Sequence, residues 1–133
     1  MTLYFDLSNV PVSYYPYVGL LTNILSFMNT KNYSYTEFTN KVNIKTGGIS
    51  TATAVVTDYI DYKKYTPYVK VRTKVLYDNM EHAFDLMREL IVNTDYSDDE
   101  RLLELLNMIK ARMQPSILSA GHSTAFKRAL SYI

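Results

Sequence analysis

The chain has 133 residues, 47% of them hydrophobic, which is enough for one domain with its own core and gives no reason to divide it. Fourteen Lys and Arg against thirteen Asp and Glu leave a formal charge of +1, so general attraction to nucleic acid or an anionic membrane has no support. The absence of cysteine excludes disulfides, thiolate metal ligands and a cysteine nucleophile.

Alternation from Leu3 to Leu7 predicts a short strand, followed by a turn punctuated by Pro11 and Pro16. A helix is then expected from about Tyr17 to Asn29, where Leu20, Leu21, Ile24, Leu25 and Met28 recur at helical spacing. No Asp, Glu, Lys or Arg lies between Asp6 and Lys31, and Val18 and Phe27 fill the opposite face, so this helix is expected to be covered on nearly every side. Its continuously apolar part falls well short of the roughly 20 residues that a bilayer span needs. Signal-peptide grammar is absent as well, and the default expectation is a cytoplasmic protein with no membrane partner.

Ser34 and Glu37 form a capping box that opens a second helix, with Tyr33 placed to staple onto Phe38. This helix should end near Thr46, with Lys45 in its last turn and Gly47 taking the left-handed conformation beyond it. A strand is expected from Gly48 to Tyr59, apolar or small on both faces and therefore covered on both. After a polar turn at Asp61 to Pro67, Tyr68 to Tyr77 reads as a strand with Val69, Val71 and Val75 inward and Lys70, Arg72 and Lys74 outward. Asp78 or Asn79 should cap a third helix with Ala83, Phe84, Met87, Leu90 and Ile91 on its apolar stripe. Ser97 and Glu100 repeat the capping-box spacing ahead of a fourth helix through Met113, which Pro115 should bend or end, and an amphipathic piece runs from Ser123 to Ile133. The order strand, helix, helix, strand, strand, helix, helix points to a single α+β domain over residues 1–133, an antiparallel sheet with helices packed on one face. An apolar end without a cap suggests a piece of something longer.

Few constellations carry chemistry. Lys63, Lys64, Lys70, Arg72 and Lys74 alternate with Tyr62, Tyr65, Tyr68 and Tyr77, the mixture a single-strand nucleic-acid platform uses, although a solvated strand face is the plainer reading for a nearly neutral chain. A stand-alone α+β binding module using this strand for nucleic acid or an acidic partner is the alternative to the reading below. Glu81, His82 and Asp85 place one imidazole and carboxylates at a helix start, short of the three or four ligands a metal needs. Ser119, His122 and Ser123 surround Gly121 without a strand-to-helix elbow, so a helix break capped by Ser123 is expected in place of a nucleophile. Thirteen tyrosines and no tryptophan suit a surface that contacts another protein.

The stretch NTKNYSYTEFTNKVNIKTGGIS from Asn29 to Ser50, with Gly19 and LLTNIL before it and ILSAGHSTAFKRALSYI at the end, resembles the insulinase-like (pitrilysin-type) zinc metallopeptidases, in particular the non-catalytic half of the presequence-protease subfamily. The resemblance implies part of a half-lobe of mitochondrial-processing-peptidase-like fold, and a much longer parent chain that degrades unstructured peptides in a closed chamber. In that family the helix corresponding to the one at Gly19 carries H-x-x-E-H in the catalytic half, where two histidines hold zinc and the glutamate activates water. The matching positions here are Thr22, Leu25 and Ser26. Neither zinc nor catalysis is therefore expected in this chain, with zinc confined to the catalytic half of the parent. The resemblance also makes the strand bearing Gly48, Ile49, Ser50, Thr51 and Thr53 the counterpart of one that offers its edge to peptide by strand addition. The expected partners are the rest of the peptidase chain and its peptides, with nucleic acid disfavoured. Self-association through surfaces that the parent would cover is expected as an artefact of isolation.

Overall fold

A computed structural model describes residues 1–61 and 63–130. They fall into two compact units, Met1–Asp98 and Asp99–Ile133. Tyr62, and the Tyr132 and Ile133 end of the last amphipathic piece, lie outside the described residues.

The first unit holds a three-stranded antiparallel sheet built from β1 (Thr2–Asp6), β2 (Ile49–Thr57) and β3 (Tyr65–Thr73), in the order β1-β3-β2. The register pairs Leu3 with Val71 on one side and Thr51 with Val71 on the other, so Leu3, Val71 and Thr51 share one face. Thr2, Arg72 and Ser50 share the opposite face. Val71 and Thr73 are buried, which is the inward half of the alternation read from the sequence.

β3 begins and ends earlier than expected, and Pro67 lies inside it. A proline is tolerated in this central strand because the carbonyl of Pro67 accepts the N–H of Leu7 at 2.9 Å, just past the last β1 pair. The missing N–H of Pro67 therefore falls on the β1 side, where no ladder bond is lost to β2.

Helix α1 (Tyr15–Ile24) starts with Pro16 in its first turn, where a missing N–H costs nothing, and tightens at Leu25–Phe27 into a 3₁₀ turn instead of running on to Asn29. The sheet holds it through the Thr51 hydroxyl, which donates to the Thr22 carbonyl at 2.6 Å. Ile24, Leu25 and Met28 are buried, but Tyr17 is 68% exposed and Leu21 is also open, so the described residues do not supply the expected all-round cover.

Helix α2 (Tyr35–Lys45) has the capping box in full: the Glu37 N–H donates to the Ser34 hydroxyl at 3.3 Å, and the Ser34 N–H donates to the Glu37 carboxylate at 2.9 Å. Tyr33 packs against the cluster containing Phe38, as the staple predicts, and the ammonium of Lys41 sits 4.4 Å from its ring centroid. The left-handed residue is Gly48, at φ +98°, and not Gly47. The helix is closed by Thr46, whose N–H and hydroxyl both donate to the Val42 carbonyl, which leaves the reversal to Gly48. Gly47 instead allows a close approach, since a Cβ there would lie 3.1 Å from Lys74 Cβ.

Helix α3 (Met80–Val92) packs against α2, and Leu25, Phe38, Val42, Leu86 and Leu90 form one core cluster. Phe84, expected on the apolar stripe, is half exposed, and Leu86 takes its place two residues on. Asn79 is the cap residue, without a side-chain cap bond, because the chain enters through a 3₁₀ turn at Tyr77–Asn79.

In the second unit, α4 (Asp99–Ser119) does not stop at Pro115. The helix passes through at the cost of the N–H that would have reached the Ala111 carbonyl. Ser97 is not its cap, since the helix begins at Asp99 and the Ser97 N–H is taken by the Asp95 carboxylate at 2.9 Å. Helix α5 (Gly121–Leu130) starts two residues before the expected Ser123. Among the described residues, no helix is long and apolar enough to cross a membrane.

Candidate functional site: a ligand-free helix beside an open strand

The three positions that the resemblance matches to the zinc motif sit where α1 changes pitch. Thr22 is in the last α-helical turn, while Leu25 and Ser26 belong to the 3₁₀ turn, so the i, i+4 alignment of a two-ligand helix face is not preserved between Thr22 and Ser26. The Thr22 hydroxyl donates to the Gly19 carbonyl at 2.9 Å. Leu25 is buried in the core cluster. Ser26 lines a small cavity of about 190 Å³ whose other walls include Phe27, Tyr35 and Phe38. This set does not fit zinc: one hydroxyl is committed to a backbone carbonyl, one side chain has no donor atom, and the third, a lone neutral hydroxyl, lines a hollow that holds no His, Cys, Asp or Glu. Among the described residues, no group of three or more His, Cys, Asp and Glu side chains is placed to hold a metal ion.

β2 packs beside this helix. Gly48, Ile49, Ser50, Thr51 and Thr53 lie along or just before it, and the strand occupies one edge of the sheet. Its cover is less than expected: Val55 is exposed at 64% and Val56 at 51%. The sheet beside them continues into a cleft of about 440 Å³ between α1 and the sheet, lined by Tyr15, Val18, Thr53, Val55 and Pro67 among others. The outer face of the sheet carries Lys70 and Arg72, with Lys74 just past the strand end.

Among the described residues, Tyr65, Tyr68 and Tyr77 do not form a stacking platform with these bases, and Tyr62 lies outside the described residues. Tyr65 falls on the opposite face by strand alternation, and Tyr68 meets the ring of Tyr4 edge-on with centroids 5.8 Å apart. Tyr77 lies beyond the strand, in the 3₁₀ turn. The other candidate clusters stay apart as well. Glu81, His82 and Asp85 are exposed on the first turns of α3. The Ser119 hydroxyl donates to the Ser116 carbonyl at 3.2 Å, and Ser123 is an interior residue of α5, not a cap.

Sequence reasoning missed a polar clamp around Glu89, which is only 7% exposed. Its carboxylate accepts the Asn32 N–H at 3.2 Å, the Asn32 amide at 2.9 Å and the Asn93 amide at 2.6 Å. Burial pushes its pKa up, but the hydrogen bonds from Asn93, Thr30 and Asn32 outweigh burial and hold it below the ordinary glutamate value. The same loop is pinned to the end of α3 by Lys31 N–H on the Asn93 carbonyl at 2.7 Å and by a bridge between Thr30 and Thr94. Glu89 and Asn93, four apart on one helix, were the available signal, but an isolated Glu four residues before an Asn reads as surface until its partners are seen.

Comparison with known proteins points the same way as the sequence motifs. The chain is 33% identical to Protein HypA of Clostridium perfringens over 132 residues, 99% of this chain and 14% of that protein. It is 34% identical to the mitochondrial presequence protease of Drosophila melanogaster over 114 residues, 86% of this chain and 11% of that protein. The presequence protease of Yarrowia lipolytica is 28% identical over 128 residues, 96% of this chain and 13% of its own length. The chain thus spans about a seventh or less of these relatives. The family model described as peptidase M-16C associated matches residues 1–133 in full, and the chain belongs to that family.

Proposed function

We propose that this chain is a non-catalytic domain of an insulinase-like, zinc-dependent peptidase of the presequence-protease type, in which it forms part of the wall of a closed chamber for unstructured peptides. The observation that carries the reading is the state of α1, the helix that the resemblance matches to the zinc helix: Thr22 is tied to its own backbone, Leu25 is in the core and Ser26 lines a hollow with Phe27, Tyr35 and Phe38. The scaffold needs the helix for packing, and packing asks nothing of metal ligands. On this reading zinc and the water-activating glutamate belong to another part of the parent chain, and β2 contributes lining. The remainder of the peptidase is the principal partner, covering apolar surface such as Tyr17, Leu21 and Val55 that this chain leaves open.

Purified chain, dialysed against zinc and then metal-free buffer, is expected to retain far less than one zinc per molecule by elemental analysis, and to leave an unstructured fluorogenic peptide uncut. Stoichiometric zinc together with chelator-sensitive cleavage would overturn the proposal.

A further inference from the structure

The hydrogen-bond phase of the sheet fixes which way the edge of β2 points. The Leu7 N–H donates to the Pro67 carbonyl, and the Asp58 N–H donates to the Lys64 carbonyl, both at 2.9 Å. Odd-numbered residues of β3 therefore turn their main chain toward β1, and their partners in β2 turn theirs away from β3. The outward N–H and C=O groups are those of Thr51, Thr53 and Val55, and among the described residues no strand pairs with them. Nine residues without a charge or a proline leave this edge undefended against strand addition.

Side-chain sizes on the outer face add a second feature. Arg72 lies opposite Ser50 and Lys70 opposite Ala52. With strands about 4.8 Å apart, two long cationic side chains are long enough to cross two of the smallest residues in the sheet toward the position an added strand would take. On the far side of Lys70 stands Tyr4, whose ring is packed on Tyr68, so the open direction is toward β2. At the basic end, Gly47, Gly48, Ser50, Arg72 and Lys74 border a hollow of about 220 Å³. Among the described residues, Lys70, Arg72 and Lys74 form no salt bridge. The acid that shares their face, Asp6, is at the other end and accepts the Ser8 N–H at 2.7 Å.

We infer that the open edge of β2 receives an extended polypeptide whose carboxylates, at every second position, are read by Arg72 and Lys70 across Ser50 and Ala52. The main-chain edge supplies strand pairing and the cations supply selectivity. Alternation in the bound strand places every second side chain on the outer face, which matches the two-residue spacing of Lys70 and Arg72. A peptide is favoured over single-stranded nucleic acid because, among the described residues, the two strand rings that share this face with the bases, Tyr4 and Tyr68, are packed edge-on against each other. The inference rests on the reading of β2 as peptide-facing and adds the chemistry of what it selects.

The test uses fluorescein-labelled nine-residue peptides in which threonine alternates with glutamate, glutamine or lysine, titrated into the intact chain and followed by anisotropy, with a labelled dT 12-mer beside them. The glutamate peptide is expected to bind at least tenfold more tightly than the other two and than the oligonucleotide. Lys70→Gln with Arg72→Gln should erase the preference while leaving glutamine-peptide binding unchanged. Thr53→Pro, which removes an outward N–H without touching the β3 ladder, should weaken all peptides. Equal binding of the three peptides overturns the acid selectivity but leaves a peptide-facing edge. Binding of none removes the peptide-facing reading as well, and an oligonucleotide that equals the glutamate peptide overturns the choice of partner. Unchanged circular dichroism of each variant is the control for folding.

Discussion

The Glu89 carboxylate is the group whose protonation state matters most to the first unit, because it holds the 28–34 loop against the end of α3 from a site with little access to water. The three N–H groups from Asn32 and Asn93 all donate to it, so a neutral amide in its place must turn an N–H toward another N–H. Glu89→Gln is expected to lower stability near pH 7 by about 1–3 kcal/mol, read from urea denaturation. The pH dependence follows from the direction of the shift. The folded pKa lies below the ordinary value of 4.5, so the carboxylate's contribution is present above that value and is lost as pH falls through the folded one. The stability gap between wild type and variant should therefore shrink below pH 4.5. A gap that stays constant on further acidification would show that the clamp does not depend on charge.

At the scale of the element, α2 is held at its start by the reciprocal Ser34 and Glu37 bonds, and the Ser34 N–H and hydroxyl hold the Glu37 carboxyl below its usual range. Ser34→Ala should cost about 1 kcal/mol and Ser34→Thr, which keeps the hydroxyl, much less, measured as shifts in the thermal midpoint. Equal losses would mean that the staple of Tyr33 and Phe38, and not the cap, fixes this helix end. This element was the most legible in the sequence because its signals are local: a few residues in the right spacing contain the whole interaction. The departures elsewhere have tertiary causes. Pro67 looked like the end of a turn because its tolerance depends on β1 ending at Asp6, far away in the chain. Phe84 and Leu86 exchanged roles because the buried side of α3 is set by where α2 packs, which a stripe of apolar residues does not specify. Pro115 inside α4 overrode a strong local rule. The candidate site divided the same way. Thr22, Leu25 and Ser26 were readable as positions, but the change of pitch at Leu25 and the shared face of Lys70 and Arg72 with Ser50 and Ala52 needed the fold.

For the whole molecule, the balance between core and open surface bears on how the isolated chain behaves. Among the described residues β1 and β2 are both unprotected edges, and Phe5, Val55 and Tyr65, on the sheet face that carries the core, are 40%, 64% and 66% exposed. The chain spans about a seventh or less of the relatives' length, and on the proposed reading the rest of a peptidase covers these surfaces. Alone, the chain has no inward charge or bulge on β2 to discourage pairing with a second copy. An antiparallel β2–β2 pair centred on Thr53 would set Ile49 against Thr57, Thr51 against Val55 and Ala52 against Ala54, with no like charges opposed. Sedimentation velocity is expected to show reversible self-association that grows with concentration and is strengthened by salt, which screens the Lys70 and Arg72 side chains of the two copies from one another. Val55→Lys should suppress it, because the pair would then oppose two buried cations to Thr51 on either side of the two-fold. The glutamate peptide should compete with it at the same edge. A chain that stays monomeric at high concentration, or a Val55→Lys variant that associates as wild type does, would locate the exposed apolar surface elsewhere than on this strand.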